Sequence, residues 1–194
     1  MWHLSEKRVL REAALAARAA MSSSDVAEAD AALVRHATEL IRAASVVAGY
    51  VPMHGEPGGP GLPEALAAVL PPAALLLPAL HPDRDLDWAA YDGTLVAGRT
   101  LARLREPPGP RLGLDAIASA DIVLVPALAV DASGARLGRG GGSYDRALAR
   151  IRPGVPVIAL LYLGELVPVL PAEPHDRPVT GALTPSGLVV VGVT

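Results

Sequence analysis

The sequence predicts an α/β fold in three layers, helices on both sides of a mainly parallel central sheet. Three observations carry that reading. Short β-branched or apolar runs alternate with helix-like segments along the chain, one apolar run (DIVLVPALAVD, 121–131) has the continuous character of a strand covered on both faces, and a glycine run joins that strand to a helix. The 194 residues fit one domain, 1–194, and suffice to bury a sizeable core. Phe is absent and Trp and Tyr number two and four, so Ala, Leu and Val must fill the interior.

Taken in order, the first forty residues predict two helices. In the first, Lys7, Arg11 and Arg18 recur at spacings of four and seven and share one face, which on spacing alone is a solvated surface. The second starts at SSSD, where Asp25 followed by Glu28 resembles a capping box, and Val26, Leu33, Ala37, Leu40 and Ala44 give it an apolar stripe. SVVAGYVP (45–52) then reads as a buried strand ended by Pro. The turn-rich MHGEPGGPG follows with a lone carboxylate, Glu56, ahead of a helix over 62–70. AALLLPAL (73–80) predicts a second strand, and 86–105 a short antiparallel excursion. Beyond the 121–131 strand come a turn at 132–134, the glycine run, a helix over 143–151 and the strand VPVIALLYL. PVTGALTP and LVVVGV supply the last two strands, and Pro-rich patches at 107–110 and 168–178 mark loops.

Composition excludes several classes. Without cysteine there are no disulfides, no thiolate catalysis and no Cys-ligated metal. A net charge of −3 speaks against a general nucleic-acid binder, so a polyanionic partner should be small. The longest apolar stretch, 65–80, is shorter than the roughly 20 residues of a membrane span and contains Pro71, Pro72 and Pro78. No membrane partner is expected. Charges interrupt any apolar leader in WHLSEKRVLREAALAARAA, which predicts a cytoplasmic protein with this segment in its fold.

RLGRGGGSYDR (136–146) concentrates the chemistry. Strand, glycine loop and helix let consecutive N–H groups converge on an anion at a helix start. The run is no Walker A loop, lacking GK[ST], and it misses GxGxxG because Ser143 stands where the third Gly would fall. A bare glycine triplet serves equally well as a turn or a C-cap. Arg136, Arg139 and Arg146, however, surround it with guanidinium groups suited to phosphate oxygens. Asp145 beside a phosphate is repulsive unless it caps the helix or a cation lies between them.

RLGRGGGSYDRAL resembles the RLGxGxGYYDR signature of the 5-formyltetrahydrofolate cyclo-ligase family. KRVLR is similar to that family's KxxLR element, YVPMHGEP to its YxPxxxE segment, REPPGPRLG to its EP loop, and LPAEPHDRPVTGALTPSG to its closing PxxxHDxxV…T…G. The resemblance, colinear over nearly the whole chain, implies a fold of the ribose-5-phosphate isomerase/CoA-transferase type. It also implies a ligase that uses ATP and Mg²⁺ to convert 5-formyltetrahydrofolate to 5,10-methenyltetrahydrofolate, acting as a monomer or weak homodimer. Carried over by position, Lys7, Arg8 and Arg11 would contact nucleotide. Arg136, Leu137, Gly138, Arg139, Gly140, Gly141, Gly142, Ser143 and Tyr144 would form the phosphate and folate cradle, with Arg139 and Tyr144 catalytic. Val51 and Glu56 would meet the folate, and Asp145 and Asp176 would hold Mg²⁺.

Two positions depart from the family pattern. Ser143 replaces the first tyrosine of YYD, where it is expected to N-cap the helix, and GEPGGPG replaces more acidic or Thr-containing residues after the glutamate. Two other readings share the same residues: a non-catalytic nucleotide- or folate-binding module, and a sugar-phosphate isomerase or CoA-transferase-like enzyme working without ATP. His175 and Asp176 by themselves read as a local turn, Trp88 as a partly buried structural residue, and His54 and His81 have no assigned role.

Overall fold

The computed structural model describes residues 4–192; the expected element ends at 1–3 and 193–194 lie outside them. Helix α1 (Leu4–Ala19) is followed by α2 (Ser23–Ile41). The cap of α2 is Ser22, whose Oγ accepts the Asp25 N–H at 3.1 Å, so the helix starts with a single side-chain cap three residues before the expected Asp25–Glu28 box. The reason is local: Ser22 keeps the extended backbone of an N-cap, whereas Asp25 is already helical.

Strand β1 (Val47–Ala48) leads through a loop into the short helix α3 (Leu62–Ala67), which stops before the predicted Leu70, and then into β2 (Leu75–Leu80). The antiparallel excursion is real. β3 (Leu86–Ala90) pairs antiparallel with β2, and β4 (Val96–Ala97) with β5 (Arg105–Glu106). A 3₁₀ turn (Leu114–Ser119) precedes β6 (Ile122–Pro126).

The 121–131 run is not one strand. It breaks at 127–128, and β7 (Ala129–Asp131) leaves the main sheet to pair antiparallel with β8 (Arg136–Leu137) and parallel with β10 (Leu166–Val167). Both pieces are buried, so hydrophobicity alone does not mark the break between them. Helix α4 (Ser143–Leu148), β9 (Val157–Leu160), β11 (Gly181–Thr184) and β12 (Gly187–Val190) complete the chain.

The main sheet has the order β12-β11-β9-β6-β1-β2-β3, parallel from β11 to β2 and antiparallel at both edges. Its two faces follow the period of two. Ile122, Leu124, Ile158 and Leu160 meet Leu33, Ala37 and Ile41 of α2 and Leu62 and Leu66 of α3. Val123, Val125, Val157 and Ala159 point the other way, to Ile117 of the 3₁₀ turn and to Ala147 and Leu148 of α4. Smaller side chains thus face one layer and larger ones the other, which is how an interior without Phe is filled. Trp88, expected to be partly buried, is wholly enclosed in the smaller-residue layer. Among the described residues no helix is long and apolar enough to cross a membrane.

From β1 the chain moves outward to β2 and β3, then returns to β6 on the other side of β1. The crevice beyond the carboxyl ends of β1 and β6 is therefore the switch point at which open α/β sheets bind ligands. Arg18 of α1 fixes that crevice. Contrary to the solvated face its spacing suggests, its side chain is only 4% exposed and forks onto Glu165, Nε to Oε1 at 2.6 Å and Nη2 to Oε2 at 2.8 Å. It also donates to the carbonyls of Ala127, the residue after β6, and Gly55 in the loop that follows β1, and lies over the Tyr162 ring.

Breaking a buried pair on one side strands a charge, so Arg18→Ala should cost about 3–5 kcal/mol, whereas Arg18→Met with Glu165→Leu should cost less than either single change; urea unfolding of the three variants checks this. A second pair joins the β2–β3 turn to the turn after α4 (Ser143–Leu148): Arg150 donates to both oxygens of buried Asp85, at 3.0 and 2.6 Å, and holds its carboxyl below the usual value against the opposing effect of burial. A depressed carboxyl stabilises the fold fully above its unfolded value of about 3.9, and that contribution fades as pH falls through the lower folded value. Asp85→Asn should therefore flatten the loss of stability below about pH 4, read as urea midpoint against pH.

Candidate active site

A cleft of about 680 Å³ opens at the switch point, within the range of small-molecule sites. Lys7 and Arg11 of α1, Val51 and Glu56 from the loop after β1, residues 136–145 and Asp176 all line it. Arg8 does not. Its side chain is 71% exposed and pairs with Glu12 one turn along α1, because the face that carries Lys7 and Arg11 inward turns the adjacent position out.

The glycine loop is mounted between β8 and α4. Gly142, with φ +68, is the N-cap of α4, so Ser143 is the first helical residue rather than the expected cap. A Cβ on Gly142 would stand 2.9 Å from Arg146 Nη1. Arg146 spans from the loop to the β2–β3 turn, donating to the carbonyls of Gly141 (3.3 Å) and Arg84 (2.6 Å). On the α1 side Arg11 Nε donates to Gly138 O at 2.9 Å. The loop is thus held between two guanidinium groups.

The carboxylates of the cleft are each paired with a cation. Lys7 Nζ lies 2.7 Å from Asp176 Oδ2, Arg136 Nη2 lies 2.8 Å from Asp145 Oδ1, and Arg139 Nε lies 2.8 Å from Glu56 Oε1. Glu56 Oε2 accepts the Met53 N–H as well. Burial would raise the Asp176 carboxyl, but bonds from Lys7 and the Glu173 amide hold it below the usual range. Among the described residues Arg11, Arg84, Arg103 and Arg105 line the cleft without a carboxylate partner, so its balance is positive. Tyr144 sits among these charges, its ring 5.9 Å from the Arg136 guanidinium. Burial, then Glu56, pushes its phenol well up against the opposing pull of Arg136, so it stays a neutral donor, and among the described residues its hydroxyl makes no hydrogen bond.

Sequence reading missed two parts of this site. Arg18 lines its floor, although nothing in a four- and seven-residue spacing distinguishes a buried arginine from a solvated one. The far wall comes from the β2–β3 hairpin and the segment before β5, including Leu80, Arg84, Arg103 and Leu104, where weak alternation gave no signal.

Fold and site together define a class: an α/β protein with a positively charged, glycine-lined cleft at the carboxyl ends of its parallel strands. The sequence profile of the 5-formyltetrahydrofolate cyclo-ligase family matches residues 3–185. A 5-formyltetrahydrofolate cyclo-ligase of Mycolicibacterium smegmatis is 46% identical over 150 residues, 74% of this chain and 75% of that protein. The chain belongs to the 5-formyltetrahydrofolate cyclo-ligase family and is a ligase. The solution structure of an Aquifex aeolicus 5,10-methenyltetrahydrofolate synthetase superposes with a TM-score of 0.78 at 25% identity, covering 97% of this chain and 94% of that one. A Mycoplasma pneumoniae protein of the same name shares the fold at a TM-score of 0.71 and 19% identity, over 92% and 98% of the two chains.

Gly142→Ala should lower stability by about 1–3 kcal/mol through strain at positive φ. Gly141→Ala, whose nearest neighbour would be Ser143 Oγ at an ordinary 3.6 Å, should stay within about 0.5 kcal/mol. Urea midpoints of the two variants provide the comparison.

Proposed function

We propose that this chain converts 5-formyltetrahydrofolate to 5,10-methenyltetrahydrofolate with consumption of ATP in the presence of Mg²⁺. The observation that carries the reading is the convergence, in one cleft, of a glycine loop at a helix start with a carboxylate, Glu56, suited to pterin N–H donors.

The residues fit both groups. Two positive-φ glycines, Gly140 and Gly142, shape the loop so that main-chain N–H groups can approach phosphate oxygens, and the buried Nε of Arg136 has no protein partner. Asp145 and Asp176 are hard oxygen donors in the same cleft and would hold Mg²⁺, which when bound would neutralise phosphate charge. The formyl oxygen is a poor leaving group. Its attack on the terminal phosphorus forms an O–P bond as the phosphoanhydride bond breaks and ADP departs. N10 then attacks the activated carbon and loses its proton, the C–O bond breaks, and phosphate leaves with the methenyl cation in place.

In-line transfer asks for placed charge rather than covalent help. Lys7 and Arg11 hold nucleotide oxygens, and Arg139 balances charge developing on the transferred group. Tyr144, fixed as a neutral phenol, donates to substrate. Glu56 orients the pterin, and Val51 packs beside it. Because Arg139 and Glu56 bond to each other in the free chain, substrate has to separate that pair as it enters.

Protein mixed with 5-formyltetrahydrofolate, ATP and Mg²⁺ should produce the methenyl chromophore, with none when ATP is omitted; a flat trace with verified reagents overturns the reading. Asp145→Asn should raise the half-saturating Mg²⁺-ATP concentration by about tenfold or more while changing that for folate by less than about threefold.

A further inference from the structure

The loop between β1 and α3 carries Glu56, yet it contains no regular structure to fix it. Bonds within the loop, from the Met53 N–H to Glu56 Oε2 and from the Tyr50 hydroxyl to Pro57 O, are supplemented by polar bonds from outside. Asp30, half-buried within α2, accepts the Gly58 N–H at Oδ1 (2.8 Å), and the same oxygen accepts the Tyr162 hydroxyl at 2.9 Å. That hydroxyl also stands 3.4 Å from the carbonyl oxygen of Glu56 itself. Asp30 therefore holds the backbone two residues beyond Glu56 and aims the phenol that reaches Glu56.

The approach on the other oxygen is close. Gly59 has φ +62, and a Cβ there would lie 2.7 Å from Asp30 Oδ2, so glycine is required where the loop presses against α2. The GEPGGPG segment, a departure from the family pattern, thus has its partner 28 and 29 residues before Gly58 and Gly59, on a helix. Asp30 is not among the residues lining the cleft.

We propose that Asp30 is a positioning residue for folate binding: it sets where Glu56 stands, acting through Gly58 and Tyr162 without touching any ligand. The inference rests on the reading that Glu56 receives the folate. It makes the specific demand that loss of Asp30 weakens the folate side of the cleft and spares the nucleotide side, whose residues come from α1 and the glycine loop.

Steady-state kinetics with 5-formyltetrahydrofolate and Mg²⁺-ATP tests this on full-length wild type, Asp30→Ala, Asp30→Asn, Glu56→Gln and the Asp30→Ala/Glu56→Gln double variant. Asp30→Ala should raise the KM for folate by about tenfold, with the KM for ATP and kcat within about twofold. Asp30→Asn keeps an oxygen for both donors and should return the folate KM to within about threefold of wild type. In the Glu56→Gln background Asp30→Ala should add little, because the two act in series. An unchanged folate KM, a parallel rise in the ATP KM, or full additivity overturns the proposal. Should Asp30→Ala not fold, Tyr162→Phe removes one of its two links, leaving the Gly58 bond, and must raise the folate KM selectively though by less, or the proposal fails. Wild-type protein without ATP-dependent turnover overturns the proposed function and this inference together; turnover with an unaltered Asp30→Ala overturns the inference alone.

Discussion

The buried guanidinium of Arg18 is the constraint on which the rest of the site depends. One side chain of α1 binds the carboxylate of Glu165 on both oxygens, touches the main chain of the loop after β1 and of the residue after β6, and lies against Tyr162. It therefore ties a helix outside the main sheet to the two strands between which the cleft opens. Arg11 and Lys7, about two and three turns earlier in α1, reach the cleft because Arg18 fixes the rotation of the helix. An arginine suits this position better than a lysine would, since only a planar fork serves a carboxylate and two carbonyls at once.

Charge in the cleft is arranged by exchange. In the free chain Lys7 is matched to Asp176, Arg136 to Asp145, and Arg139 to Glu56, so the charged groups of the cleft are held in place by one another. Such pairs keep long side chains ordered before ligand arrives, which reduces the entropy lost on binding. Arginines without a carboxylate partner leave a positive balance that attracts anions.

Much of this was legible in the sequence, and what was not has identifiable causes. The parallel strands announced themselves as apolar runs, and the glycine–arginine–aspartate motif marked the loop that does line the cleft. The split of 121–131 was hidden because both halves are buried, one in the main sheet and one in the small one. Arg18 was read as solvated because helical spacing places residues on a face but does not say which face is covered, and Arg8, named by resemblance as a nucleotide contact, turns away from the cleft beside its inward neighbour Lys7. The contact of Asp30 with Gly58 was invisible, since nothing in α2 distinguishes an aspartate facing a loop from one facing water. The cap of α2 was displaced by three residues because several Ser and Asp residues there are all competent.

The break after β6 has one more consequence. The glycine loop hangs from the three-stranded sheet of β7, β8 and β10, which has its own small nucleus of Leu128, Ala129, Ala135, Leu137 and Leu170, apart from the two layers that flank the seven-stranded sheet. The upholstery is shared all the same: Val130 of β7 and Ala147 and Leu148 of α4 belong to one of those two layers. Drift in that layer is therefore felt beside β8 and at α4, whereas the small nucleus can be retuned over generations while the rest of the frame stays as it is.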